Sequence, residues 1–228
     1  MVQMLDGREA KILDFIVRSY IRSAEPVASS DVRSGLQMKE SPATVRNVIA
    51  ELDDEGFLEQ PHTSAGRVPT DRAYRYFVDY LIYPQKFKQA KADNRRGAAA
   101  NIRSTADALH LLAIAAEEDE LDSYGLSYLL REPEFRSTEA VRRIAHLMDH
   151  TEEIFDTYRE SREQHASESR AGIFIGRENP VREAVDCSVF YMERDGGGAH
   201  REMLLVGPTR VNYERISAFI SKFFNEYD

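Results

Sequence analysis

A chain of 228 residues with 42% hydrophobic content can build one sizeable core or two small ones, and a change of patterning near its middle favours two. Its 30 Lys plus Arg against 39 Asp plus Glu give a formal net charge of -9 at pH 7, which favours solubility and neither announces nor excludes a polyanion partner, since a duplex feels only the face turned toward it. A single cysteine excludes a disulfide framework and a thiolate zinc cluster, and no apolar run nears the ~20 residues a bilayer span needs, so a cytoplasmic protein without a membrane partner is expected.

In chain order, Ile12, Phe15 or Ile16, and Tyr20 recur at helical spacing and predict a helix over 10–22, closed off by Pro26. A short second helix is expected over 30–34, with Ser29 and Ser30 as cap candidates and Gly35 as its stop. The third helix has the clearest start: Ser41 can cap it, Pro42 suits the first helical position, and Gly56 ends it. Phe57 begins a short strand over 57–60, a turn-rich loop follows over 61–69, and Thr70 can cap a fourth helix over 71–83.

Residues 85–105 are basic and polar, either a solvated connecting helix or a linker. The alanine-rich run 98–116 reads as a helix, 121–135 as an irregular connection, 138–158 as a second long helix and 161–170 as a surface loop or helix end. Strands are then expected over 172–176, 187–192 and 203–206, the last two joined in a hairpin across a loop longer than a tight turn. Cys187 reads as a small buried hydrophobe on the middle strand. Asn212 can cap a final helix, giving a small antiparallel sheet covered by helices on one side.

The third helix carries the functional argument. Val45, Val48, Ile49 and Leu52 form its buried stripe, while 100° steps set Ala43, Asn47 and Ala50 opposite, with Thr44 and Arg46 at the margins. Such a helix can enter a major groove about 12 Å wide: Thr44 and Asn47 offer hydroxyl and amide groups, Arg46 a phosphate or guanine contact, and Ala43 or Ala50 a surface for a thymine methyl. His62, Thr63, Ser64, Gly66 and Arg67 form a candidate wing, in which Gly66 can take a positive φ and Arg67 can reach DNA. Residues 1–84 hold 10 Lys plus Arg against 13 Asp plus Glu, so the region as a whole is not basic; Arg67, Arg72 and Arg75 are expected to make one face locally positive.

The sequence resembles the heat-inducible transcription repressor HrcA family. The matching stretches are Glu25-Pro26-Val27 with Ser41-Pro-Ala-Thr-Val-Arg-Asn47 and Glu51-Leu-Asp-Asp-Glu-Gly-Phe-Leu-Glu-Gln60; Pro61-His-Thr-Ser-Ala-Gly-Arg-Val-Pro-Thr-Asp71 with the run 74–79; Ile175-Gly-Arg-Glu-Asn179 with Val206-Gly-Pro-Thr-Arg-Val-Asn-Tyr213; and, more weakly, the run 130–135. The resemblance implies a homodimeric repressor on an inverted-repeat operator upstream of chaperone operons, with the chaperonin as a partner favouring the active form. It also implies an α/β chain: an N-terminal winged helix-turn-helix over 1–84, a helical connector over 85–120, and a reduced, truncated GAF-like dimerization domain over 121–228. By the same resemblance Ser41, Thr44, Arg46 and Asn47 belong to a recognition helix and residues 62–67 to a wing. The third pair of stretches reads as structural turns as readily as a ligand site.

No phosphate-binding glycine loop, His-Glu-x-x-His pair or serine elbow supports an enzyme, and no cofactor is expected. His146 and His150 stand at zinc-ligand spacing with His165 or Glu153 as further candidates, but no third ligand is fixed relative to them, so no metal site is expected. A protein-interaction module without operator-specific DNA binding is the alternative, favoured by the low basicity of 1–84.

Overall fold

The computed structural model describes residues 4–62, 65–82, 101–118, 120–165, 171–196 and 199–225, and the chain divides into two units, 1–85 and 86–228.

In the first unit, α1 (Gly7–Ser23) starts three residues before the expected position. The start is a capping box: the Asp6 carboxylate accepts from the amides of Arg8 and Glu9, and Glu9 returns a bond to Asp6. The two amide bonds hold the Asp6 carboxyl below its usual range. Ile12, Leu13, Ile16 and Val17 are buried. The second helix, α2 (Ser29–Gly35), opens without a side-chain cap. Ala28 holds the N-cap position and both serines lie inside the helix, because Val27 is already pinned to Arg67 by an antiparallel bridge that fixes where the chain can turn. The third, α3 (Pro42–Asp54), starts as its caps predict, with Ser41 Oγ accepting from the Thr44 amide at 3.1 Å. It is followed by Gly56 at φ 75°, in the left-handed region where glycine is favoured.

A two-residue strand, β1 (Leu58–Glu59), pairs antiparallel with β2 (Val68–Pro69) to make a small ribbon. Thr70 caps α4 (Asp71–Tyr76) through the Ala73 amide, and the helix runs on as a π-helix over Phe77–Ile82 where one α-helix was expected. The widened turn coincides with three consecutive buried residues, Tyr76, Phe77 and Val78.

The second unit is a five-stranded antiparallel sheet whose strands lie in the order Glu120–Tyr124, Leu112–Glu117, Ala199–Pro208, Cys187–Gly196 and Ala171–Ile175. Among the described residues of the alanine-rich run read as one helix, α5 (Ile102–Leu109) is helical; it stops at His110 (φ 58°), and the chain continues as β3 (Leu112–Glu117). As a strand, Leu112 and Ile114 share one face and pair with Val206 and Leu204. Full burial of each is worth roughly 1.5–3 kcal/mol, whereas helix propensity differs by tenths of a kcal/mol per residue. The remaining elements of the supposed irregular connection are β4 (Glu120–Tyr124), the single turn α6 (Leu126–Leu129) and a 3-10 turn at Pro133–Phe135.

The expected long helix is two, α7 (Thr138–Asp149) and α8 (Thr151–His165). They are divided at His150, where the Thr151 hydroxyl donates to the Met148 carbonyl at 2.8 Å. Of the stretch 161–170, expected as a surface loop or helix end, 161–165 are the end of α8 and 166–170 lie outside the described residues. There follow β5 (Ala171–Ile175), β6 (Cys187–Gly196), β7 (Ala199–Pro208) and α9 (Tyr213–Asn225). The hairpin is longer than the pattern implies, since pairing continues to Gly196↔Ala199. Asn212 Oδ1 accepts from the Arg215 amide at 3.0 Å at the start of α9.

Helices cover both faces of this sheet rather than one. On one face Leu112, Ile114, Val189, Tyr191, Leu204 and Val206 join Ile144 and Leu147 of α7 and Ile154, Phe155 and Tyr158 of α8 in a single core. On the other, Phe190 meets Tyr213 of α9 with ring centroids 6.0 Å apart, and Tyr213 shares a 2.7 Å hydrogen bond with Ser188. Cys187 is fully buried in β6, and burial pushes its thiol well up, so it acts as packing.

Candidate nucleic-acid interface

The face of α3 expected to meet DNA is present as a surface: Ala43, Arg46, Asn47 and Ala50 are exposed and Thr44 is half-buried, opposite the buried Val45, Val48, Ile49 and Leu52. Thr44 is partly engaged, since its hydroxyl lies 2.9 Å from that of Ser41, which caps the helix. Among the described residues Arg46 and Asn47 have no hydrogen-bond or ion-pair partner, so both side chains are available to a ligand.

The loop between β1 and β2 is organised by its backbone. Ala65 N donates to His62 O at 2.8 Å, and Gln60 Nε2 donates to Ala65 O at 2.9 Å, leaving His62 exposed. Thr63 and Ser64, both candidate contacts, lie outside the described residues. Gly66 does not adopt the positive φ expected of it. It is required for a close approach instead: a Cβ there would lie 2.4 Å from the carbonyl carbon and oxygen of Val27 and 2.8 Å from Ala28 N. All three are backbone atoms and cannot swing aside. Gly66→Ala is therefore expected to destabilise the first unit by about 1–3 kcal/mol, read as a lowered thermal midpoint; an unchanged midpoint would show that the backbone at Val27 yields freely.

The three arginines expected to make one face positive are each engaged within the unit. Arg67 Nε donates to Asp53 Oδ2 at 2.9 Å; Arg72 donates to the Glu55 carbonyl and lies 4.4 Å over the Phe57 ring; Arg75 pairs with Asp79 at 3.4 Å. Of the four arginines singled out in the sequence, Arg46 alone projects without a partner among the described residues. Sequence reading missed Asp53 and the second role of Thr70, whose hydroxyl donates to Gly56 O at 2.7 Å and Phe57 O at 3.1 Å. No local signal reveals these contacts, because the ribbon brings residues 13 to 14 apart in sequence together.

In the second unit, His146 and His150 stack with ring centroids 4.0 Å apart, yet they face different partners. His146 Nδ1 lies 3.2 Å from Glu183 Oε1 and His150 Nδ1 lies 3.0 Å from His146 O. The side chain of His165 lies outside the described set, and Glu153 lines a cavity of about 410 Å³ with Asp122, Asp149 and Glu152, an acidic lining that repels phosphate. Glu193, His200 and Glu202 do bring possible ligand atoms within 4.8 Å of one another. Their carboxylates are already paired: Arg159 donates to Glu202 at 2.6 and 3.0 Å, and Arg162 to Glu193 at 3.0 Å. Hydrogen bonding to Glu202 in turn pushes the Arg159 guanidinium further up, so the cluster is held as a set of ion pairs.

The family-like stretches near the end of the chain are occupied by internal bonds. Asn179 Nδ2 donates to the carbonyls of Gly176, Ala184 and Cys187 at 2.8, 2.9 and 2.9 Å, and its Oδ1 accepts from the Tyr158 hydroxyl at 2.8 Å. Arg210 joins the third stretch to the fourth, donating to Glu134 at 2.6 Å and Glu132 at 2.5 Å.

A helical N-terminal unit with a short ribbon, followed by a mixed α/β sheet unit, is the class this architecture defines. One solved structure, described as a crystal structure of a hypothetical protein, shares it over 98% of both chains with a TM-score of 0.77 at 18% identity, a likeness of fold alone. The family description "HrcA protein C terminal domain" matches residues 82–216. The heat-inducible transcription repressor HrcA of Natranaerobius thermophilus is 56% identical over 78 residues, covering 34% of this chain and 23% of that protein. Its counterpart from Pelotomaculum thermopropionicum is 47% identical over 89 residues (39% and 26%), and that from Anaeromyxobacter sp. (strain K) is 44% identical over 116 residues (48% and 33%). The chain belongs to the HrcA family. The aligned stretches span about a quarter to a third of these relatives' own length. Among the described residues no helix is long and apolar enough to cross a membrane.

Proposed function

We propose that the first unit is a winged helix-turn-helix that reads double-stranded operator DNA, and that the chain represses heat-shock chaperone genes from the cytoplasm. The observation that carries this is α3: a Ser41-capped helix, anchored by an apolar stripe, whose opposite face presents Arg46 and Asn47 free beside Ala43 and Ala50. The β1–β2 ribbon follows it in the chain order of a wing. On this reading residues 1–84 bind DNA. The sheet unit is a reduced GAF-like fold that pairs two copies, since a two-fold dimer matches an inverted repeat. The chaperonin is the partner that the family resemblance supplies.

The test is binding of the full chain to inverted-repeat duplexes from upstream of the source organism's chaperone genes, with unrelated DNA as competitor. Solution mass is measured on the same complex. Preference for the inverted repeat, loss of affinity as salt rises, and two chains per duplex are expected. One observation favours a second reading: residues 1–84 carry an excess of acid, and three of the arginines singled out are held internally. A protein-interaction module would show no duplex binding at any salt concentration.

A further inference from the structure

We infer that Arg67 is a positioning residue: its ion pair with Asp53 sets the angle at which α3 carries the β1–β2 ribbon, and it does not itself touch DNA. The inference rests on the DNA-reading role proposed for this unit.

Arg67 is fixed before its side chain begins. Its backbone exchanges both hydrogen bonds with Val27, N to O and O to N, each at 2.9 Å, and Gly66 beside it packs directly on the Val27 carbonyl. From that fixed point the guanidinium reaches Asp53 on α3 at 2.9 Å, with side-chain exposures of 22% and 29% for the two partners. Two neighbours act on the segment that leaves the helix. Thr70 donates to the carbonyls of Gly56 and Phe57, and Arg72 donates to that of Glu55. The stretch following the ribbon loop thus holds the end of α3 by the Asp53 carboxylate and the residues just beyond it by three carbonyls.

Electrostatics argues the same way. Were Arg67 to leave Asp53 for a phosphate, the carboxylate it abandons would add an unpaired negative charge to a surface meeting a polyanion. Keeping the pair intact holds helix and ribbon in one relative orientation before DNA arrives, which lowers the ordering cost of binding.

The two roles make opposite predictions for Asp53. Removing an acid from a DNA-binding surface ordinarily strengthens binding, whereas removing half of a positioning pair weakens it. The full chain and its Arg67→Ala, Asp53→Ala, double-alanine and charge-exchanged (Arg67→Asp with Asp53→Arg) forms are titrated with a labelled inverted-repeat duplex from upstream of a chaperone operon. The same forms are titrated with poly(dI-dC), across a series of salt concentrations, with thermal unfolding of each form measured alongside. Each single alanine form is expected to bind about tenfold more weakly, the double form no worse than either single, and the charge-exchanged form to regain most of the loss. The salt slope should stay that of the unaltered chain for Arg67→Ala and fall by about one for Arg46→Ala.

Stronger binding by Asp53→Ala, or a slope lowered by about one in Arg67→Ala, overturns the inference and makes Arg67 a phosphate contact. Should the single forms unfold, the charge-exchanged form decides: restored folding without restored affinity overturns the inference. Failure of the unaltered chain to bind either duplex ends the DNA-reading role, and the inference with it.

Discussion

Alanine at both Arg46 and Asn47 is expected to weaken binding to an inverted-repeat operator duplex by roughly two orders of magnitude while leaving the fold intact. Both side chains stand exposed on α3 without partners among the described residues, so their loss removes no contact shown there. Exposed substitutions of this kind shift stability by no more than about 0.5 kcal/mol. On DNA each has a geometric partner: guanidinium on guanine or phosphate, and carboxamide on adenine, at about 1–3 kcal/mol of discrimination for a good bidentate pair. The two contributions separate by experiment. Asn47→Ala should relax sequence preference without altering the salt slope, whereas Arg46→Ala should also lower the slope by about one if it meets a phosphate. Fluorescence anisotropy with specific and mixed-sequence duplexes reads both, and operator affinity unchanged in the double variant would rule out α3 as the reading helix.

Asn179→Ala should lower the stability of the sheet unit by about 3 kcal/mol. Asn179 has two amide protons for three carbonyl acceptors, so one proton is shared, and its Oδ1 takes the hydroxyl of the fully buried Tyr158. Burial pushes the Tyr158 phenol well up, so this hydroxyl stays protonated and remains the donor through the working pH range. Truncation removes the side-chain partner of the Ala184 and Cys187 carbonyls and of the Tyr158 phenol, while Gly176 O keeps its bond from the Asn179 amide at 3.1 Å; each unsatisfied buried group costs about 1–3 kcal/mol before relaxation and entering water recover part of it. A fall in thermal midpoint of about 10 °C by calorimetry is the expected reading. Asn179→Asp, which keeps the acceptor but loses the donors, should fall nearly as far. A shift below about 2 °C in both would show that the turn at Gly176 and the start of β6 hold without it.

What the amino-acid order determined by itself was local: where a side chain can cap a helix and which face a periodic stripe buries. Ser41, Pro42 and Gly56 bound α3 correctly, and 100° steps set Arg46 and Asn47 outward, because a cap and a helical face are decided within a few residues of the groups that make them. Thr70, Asn212 and the hairpin strands were legible for the same reason, and the quoted stretches were enough to place the chain in its family. Asp6 was equally local, and its capping box is visible in hindsight.

Tertiary structure decided the rest. Leu112 and Ile114 became strand residues because β7 offers Val206 and Leu204 as neighbours, a gain that appears nowhere in their own segment. Gly66 is glycine because the Val27 backbone passes against it, not because its own φ demands it. Arg67, read as a wing contact, is committed to Asp53 by a ribbon that joins residues 14 apart, and Arg210 to Glu134 across 76. Charges in a sequence can be counted, but which of them remain free is settled only when the folded chain has chosen their partners. In the helix that opens this reading, that choice leaves Arg46 facing outward.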